Sequence, residues 1–303
     1  MDRKSPAMSS SFNLFTIVTP SYDQAHFLED TLRSVQKQNH PNVEHWVIDG
    51  GSTDGTLEIL ECFREETKDD ESYDLRWISE SDRGQSHAIN KGFERAEGQF
   101  IGWLNSDDMY FDVNTLRAVK QAFRQSGAKV VYGDDVLVGP ENTLLRVDHK
   151  YGYSRERLLR SCYICQPALF FHRDVLEEHR LSESLEYVMD YEFWLRLSET
   201  YEFYHVDRIL AADRNHADRK MLTDREALIP ERESIQKKYG QTFGGTYWLG
   251  RTADKLCSGW NRLRGAVTAA RVTQQKDLAF PVHVDGRGRL LWRQLVANNR
   301  DLI

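Results

Sequence analysis

Apolar and polar positions alternate in blocks along the first hundred residues. Phe15 to Val18 is an apolar, branched run ended by Pro20, which predicts a first strand breaking into a loop over Thr19 to Gln24. Phe27, Leu28, Leu32 and Val35 follow at helical spacing. Val43 to Ile48 predicts a second strand, running into Asp49, Gly50, Gly51, Ser52, Thr53 and Asp54, and then a helix carrying Leu57, Ile59, Leu60 and Phe63. The acidic stretch from Glu65 to Asp74 reads as a surface loop, and Leu75 to Ile78 as a third strand followed by a loop over Glu80 to Gln85. Ala88 to Ala96 reads as a helix with Gly98 as its C-cap. Phe100 to Leu104 is then a fourth apolar strand that stops at Asn105, Ser106, Asp107 and Asp108. Strand and helix in this rhythm imply parallel strands with right-handed crossovers.

The second half is less regular. Leu116 to Phe123 reads as a helix, Val130 to Tyr132 and Leu144 to Val147 as strands, Pro167 to Phe171 as an extended segment and Val188 to Leu197 as an amphipathic helix. Tyr201 to Val206 alternates as an edge strand would. From Gln241 the character changes. Leu249, Ala253, Leu256, Trp260, Leu263 and Val267 recur every three or four residues among Arg251, Lys255, Arg262, Arg264 and Arg271. That basic amphipathic helix has three expected uses: docking on the rest of the chain, pairing with another subunit, or peripheral contact with an anionic membrane surface.

Composition narrows the field without deciding it. The 303 residues can bury a sizeable core, and 40% hydrophobic with 29% charged residues is ordinary for a globular protein. A formal net charge of -7 speaks against a general nucleic-acid binder, whose footprint would be basic. Cys162 and Cys165 have metal-type spacing, but no second pair accompanies them, so a zinc site there is not expected. The polar start MDRKSPAMSSS lacks the apolar core of a signal peptide, and no run of about 18 apolar residues occurs. A cytoplasmic location is expected.

Three predicted strand ends carry carboxylates: Asp23 after the first, Asp49 and Asp54 after the second, Asp107 and Asp108 after the fourth. In a parallel sheet these ends share one edge, where ligands bind. Adjacent carboxylates repel unless a cation or substrate satisfies them, and a hard divalent cation that also holds phosphate oxygens does so. Glycines after Asp49 allow a tight turn and a close backbone approach to a ligand.

Taken together, TIVTPSYDQAHFLEDTLRSVQKQ, VIDGGSTDGT, SDRGQSHAINKGF and IGWLNSDD resemble family 2 of the glycosyltransferases, over roughly Phe15 to His216. The resemblance implies an α/β, GT-A type fold: a nucleotide-binding, mixed but mainly parallel sheet flanked by helices, with a helical C-terminal extension. It implies a flexible leader over 1–13, a catalytic domain over 14–240 (nucleotide-sugar half 14–112, acceptor half 113–240) and an extension over 241–303. Pro20, Tyr22, Asp23 and Asp49, with Gly51 and Ser52, map onto the positions that grip nucleobase and ribose, and Arg83 and Gly84 onto the segment lining the nucleotide. The family's acidic metal element falls on Asn105 to Asp108, with no aspartate at its first position. Asp108 is the expected metal ligand, Ser106 and Asp107 are expected at the donor, and Asp107 is left open between ribose and metal. VMDYEFWLRL resembles the helix bearing the catalytic base, which puts Asp190 in that role, with Met189 where relatives often carry Glu. Gln166 and Pro167 are implied on the acceptor side, Arg214 near the phosphates and His216 in the metal shell.

The implied chemistry is inverting transfer of a sugar from a nucleotide-diphosphate donor to a hydroxyl of a glycan or lipid-linked acceptor, in polysaccharide or cell-surface glycan biosynthesis. Uridine diphosphate is the expected handle, with guanosine and thymidine versions open. Mn²⁺ or Mg²⁺ is the expected cofactor. Two rivals remain: a nucleotidyltransferase, against which the first loop's lack of Gly, Lys and Arg counts, and a non-catalytic sugar-nucleotide binder.

Overall fold

The computed structural model describes residues 13–217, 219, 225–242, 245–272, 275 and 277–280. The predicted alternation is present in the first half: β1 (Phe15–Ser21), α1 (Ala25–Gln36), β2 (Val43–Asp49), α2 (Thr56–Thr67), β3 (Tyr73–Ser79), α3 (Gln85–Arg95) and β4 (Phe100–Trp103). There follow β5 (Met109–Tyr110), α4 (Thr115–Ser126), β6 (Val130–Val138), β7 (Leu144–Asp148), α5 (Arg155–Arg160), a 3-10 turn over Gln166–Ala168, β8 (Leu169–His172), α6 (Val175–Glu178), α7 (Met189–Leu197) and β9 (Phe203–Arg214). Two further helices, α8 (Arg225–Lys238) and α9 (Gly245–Val272), complete the described chain.

One mixed sheet runs β3-β2-β1-β4-β8-β6-β9-β5, with β7 also paired to β6. β3, β2, β1 and β4 are mutually parallel, β8 is antiparallel to β4 and to β6, and β9 is parallel to β6. Strand alternation divides the core between the two faces. Phe15 and Ile17 pack with Leu28, Leu32 and Leu60, whereas Val18 packs with Ile89, Phe93, Trp103 and Trp194. The fold is therefore a sheet covered on both faces, as expected, and the carboxyl ends of β1, β2 and β4 meet at one edge.

Three local expectations change. Pro20 does not end the first strand: β1 continues to Ser21, with Pro20 opposite Ile48 on β2. Pairing with β4 stops at Val18, so nothing on that side requires an N–H from residue 20. Gly98 does not have the left-handed conformation of a C-cap, and the residue after α3 is an extended Ala96. Gly98 is instead a contact point, because a Cβ there would sit 2.5 Å from the Thr16 backbone nitrogen. The acidic surface loop is shorter than expected, since α2 runs to Thr67 and β3 begins at Tyr73.

In the second half, the alternating segment from Tyr201 belongs to a twelve-residue strand, β9, hydrogen-bonded to β6 and β5. Its alternation reflects a first half paired on one side only. The C-terminal helix α9 lies against β7 and α5. Asp254 accepts from Arg157 Nε at 3.1 Å and Arg160 Nε at 2.9 Å, and Asn261 Nδ2 donates to His149 O at 2.7 Å. A Cβ on Gly265 would collide with the Val147 carbonyl, so the helix backbone itself rests on β7. Docking on the domain thus accounts for α9. Leu249 and Ala253, expected on its buried stripe, are exposed, Leu249 at 74%. The side chains of Lys255, Leu256, Trp260, Arg262, Leu263, Val267 and Arg271 lie outside the described residues, as does the leader before Asn13.

The Gly98 contact is testable. We expect Gly98→Ala to destabilise the fold by about 1–3 kcal/mol, because the clash is with β1 backbone rather than a movable side chain. An unchanged urea midpoint would remove the contact from the account.

Candidate active site

The β1 and β2 loops are stitched to each other before any ligand arrives. Asp49 is fully buried at the end of β2, and its Oδ2 accepts Gly51 N (3.0 Å), Ser52 N (3.0 Å) and Ser79 Oγ (2.6 Å), while Oδ1 takes the Ser52 hydroxyl. Asp23 Oδ1 accepts Thr53 N at 2.8 Å, and Asp23 N donates to Ser52 Oγ at 2.8 Å. Asp54 Oδ2 in turn accepts Ala25 N at the start of α1. Asp49 and Ser52 therefore shape the loop, and Tyr22, 63% exposed at its rim, offers a free aromatic face. Gly51 has φ +89°, which an L side chain rarely adopts.

Opposite this rim stands Asp82, which the sequence reading did not single out. Its Oδ1 accepts Gly84 N at 2.8 Å, and its Oδ2 lies 2.8 Å from where a Cβ on Gly50 would be. The available signal was its place two residues before a glycine at a third strand end. Arg83 pairs with Glu183 at 2.7 Å and so ties the β3 loop to the chain between α6 and α7.

The β4 end separates its two carboxylates. Asp108 points inward: Oδ1 accepts Arg214 N at 3.0 Å and Oδ2 faces Asn105 Nδ2 at 3.3 Å. Burial, then the charges of Asp107 and Asp213, push its pKa well above the carboxylate range. Asp107 is the more open of the pair, and its Oδ2 meets His216 Nε2 at 2.9 Å. His216 is buried, and its Nδ1 has no hydrogen-bond partner. His216 was expected with Asp108 at a metal; here its hydrogen-bond partner is the neighbouring Asp107. Ser106 is buried, and its carbonyl accepts the Thr31 hydroxyl at 2.9 Å.

Arg214 is 1% exposed, and its guanidinium is held by Asp107 O (2.8 Å), Pro140 O (2.6 Å) and Asp30 Oδ2 (2.9 Å), over the Phe27 ring. Three of its five N–H donors are thus spent on protein oxygens, and another faces the Met109 sulfur at 3.3 Å. Arg219 lies nearby, paired with Asp213 and close enough to Asp108 for their charges to interact. Lys220 and Asp218 lie outside the described residues. Asp213, a further carboxylate at an apolar strand end, was legible by the same strand-end rule but was not singled out.

Behind the acidic turn, Asn105 is a hub. Its carbonyl oxygen accepts Gln85 Nε2 (3.0 Å) and Trp103 Nε1 (2.9 Å), and its amide donates to Gln166 Oε1 (3.0 Å). Gln166 is thereby fixed beside the acidic turn, with Pro167 behind it in the 3-10 turn. Asp190 opens α7, and burial raises its carboxyl to about 6, with Arg219 opposing and Asp213 adding. Met189 accepts the Ser86 hydroxyl on sulfur at 2.9 Å and so holds α7 to α3.

The residues fit a divalent cation. Asp107 paired with His216, and the crowded charges of Asp108 and Asp213, supply the oxygen-rich chemistry for it, although among the described residues they do not gather into a three-ligand cluster.

The profile of Glycosyl transferase family 2 matches residues 16–180. The Bacillus subtilis teichuronic acid biosynthesis glycosyltransferase TuaG is 39% identical over 97 residues, which is 32% of this chain and 37% of that protein. The chain spans between about a fifth and two thirds of the length of the curated relatives it matches. Among solved structures, S. aureus TarS 1-349 with UDP-GlcNAc superposes with a TM-score of 0.58 at 18% identity, covering 73% of this chain and 65% of that one. The mannosyltransferase PcManGT from Pyrobaculum calidifontis, with GDP-Man and Mn²⁺, gives 0.56 at 17% identity, covering 94% and 79%. Both likenesses concern the fold.

We expect Asp49→Ala to cost roughly 2–4 kcal/mol, since it strands two loop N–H groups and the Ser79 hydroxyl. A urea midpoint equal to wild type would show that the loop does not depend on the carboxylate.

Proposed function

Because this chain belongs to glycosyl transferase family 2, we propose that it moves a sugar from a nucleotide-diphosphate donor to a hydroxyl of a glycan or lipid-linked acceptor, with inversion, in cell-surface polysaccharide synthesis. The observation that carries this reading is the contrast among carboxylates: Asp107 partly open beside His216 at the β4 end, Asp190 on a separate helix with a raised pKa. A uridine diphosphate donor is favoured by the TarS likeness, and the GDP-mannose complex of PcManGT keeps guanosine open.

Tyr22 offers its ring to the base, and the Gly50–Gly51 backbone, with Asp82 opposite, lets the nucleoside approach closely. Asp107 and His216 would hold a divalent cation, which when bound supplies the charge that stabilises the departing diphosphate. Arg219 stands beside the same acids and can add its donors as negative charge develops. Asp190, ionised, accepts the proton of the acceptor hydroxyl as the new bond forms. Gln166, fixed through Asn105, positions the acceptor against that carboxylate. One base opposite one leaving group implies a single displacement. A role confined to binding sugar nucleotides would not need a carboxyl poised near neutrality. No described helix is long and apolar enough to cross a membrane, and we place the enzyme at the inner membrane surface as a peripheral protein.

Asp190→Asn should abolish transfer while calorimetry shows donor binding intact. In wild type the rate at saturating donor should fall below pH ~6, because a protonated Asp190 cannot take the proton. Equal loss of donor affinity in the folded variant, or a flat acidic limb, would sink the assignment. For the cation, Asp107→Asn should raise the manganese concentration needed for half-maximal rate by about tenfold or more. An unshifted manganese requirement would return that role to Asp108.

A further inference from the structure

Asp134 and Asp135 are neighbours on β6 with different partners: Asp135 pairs with Lys150, whereas Asp134 gathers two imidazoles. Asp134 is buried, with Oδ2 2.5 Å from His149 Nδ1, Oδ1 2.9 Å from His205 Nε2, and Lys150 N donating to Oδ1 at 2.8 Å. Asp207 joins this group. One ligand atom from each of Asp134, His149 and Asp207 lies within 4.8 Å of the others, the one such grouping among the described residues. A break in the sheet brings Asp207 there. Gly133 pairs with Val206 but Asp134 with Ile209, so Asp207 and Arg208 are extra residues on β9. Bulges of this kind re-aim a side chain. The sugar-transfer reading uses none of these four residues.

His149 is held from both sides: Nδ1 faces Asp134 Oδ2 at 2.5 Å and Nε2 lies 3.0 Å from the Thr268 hydroxyl oxygen. An imidazole whose far N–H donates to a fixed oxygen is the usual setting of a metal-bound histidine.

We propose that Asp134, His149 and Asp207 hold a divalent cation of the zinc class, separate from the one at Asp107, with His205 fixing the other oxygen of Asp134. One imidazole and two carboxylates, completed by water, make a nitrogen and oxygen set too poor in oxygen for calcium or magnesium. Arg264 occupies Asp207 Oδ1 at 2.6 Å and leaves Oδ2 for the ion. The cation clamps the chain after β7 to β6 and β9 and, through Thr268, to α9.

The test uses the full chain, purified without a metal-affinity step or chelator, with metal content read by elemental mass spectrometry. About one equivalent of zinc should be present, should persist in Asp107→Asn, and should be lost in Asp207→Ala, an exposed position whose replacement leaves the core intact. Cobalt(II) added to stripped protein should give tetrahedral visible bands in wild type and Asp107→Asn but not in Asp207→Ala or His149→Gln. Folded wild-type protein that takes up no more zinc or cobalt than Asp207→Ala would overturn the proposal.

Discussion

The site depends on one buried cation, the guanidinium of Arg214. It ends β9 in the second half of the chain, yet its partners are the β4–β5 turn (Asp107 O), the chain after β6 (Pro140 O) and α1 (Asp30). Its own N–H fixes Asp108. A buried charge is costly unless each donor is matched, and a planar five-donor fork is the side chain that can match three directions at once. Lysine in this place would offer one point and leave the carbonyls of Asp107 and Pro140 without donors. The acidic turn is therefore held by an element about a hundred residues later in the chain, and the two halves of the domain meet through it.

That restraint explains why adjacent aspartates can differ in role. Asp107 and Asp108 share a turn, but Arg214 draws one carboxylate inward, and the other is left to His216. Asp213 and Arg219 sit beside both, so the acids are partly balanced from the β9 side alone. Asp190, on a separate helix, feels the same two residues only weakly and owes its raised pKa mainly to lost water. Environment, not residue type, sets these carboxylates apart from one another.

The parallel half of the sheet was legible because each strand is an apolar run ended by turn formers, and both faces of the sheet are covered. The glycines at 50 and 51 and the aspartate at 49 were legible for a related reason: a strand end needs a turn there whatever the ligand. What the pattern could not show was direction. Arg214 and Asp108 look like exposed functional residues in the sequence, since polar types carry no sign of whether they point inward. Their burial depends on partners at Asp30, Asn105 and Pro140, which no local period connects. Gly98 misled for the same reason, because a glycine after a helix reads as a cap unless the opposing strand is known. β9 was read too short because its second half changes from one paired side to two, which removes the alternation.

The order β4-β8-β6-β9-β5 has a further consequence for chemistry. Because β8 inserts next to β4, the 3-10 turn before it brings Gln166 beside Asn105 without a long loop. Because β9 runs parallel to β6 along its whole length, Asp213 and His216 arrive at the sheet edge together with the β4 turn. A slip of one residue in that pairing would exchange the faces of β9 and carry Arg214 away from Asp30. The bulge at Asp207 and Arg208 precedes this segment, and a second shift at Leu210 follows before the ladder runs on without a break from Ala211. The irregularity that opens a cluster under α9 is thus one of the two shifts that together set the register of the Asp213–Arg214 edge, and a sequence change at either place would be felt at the other.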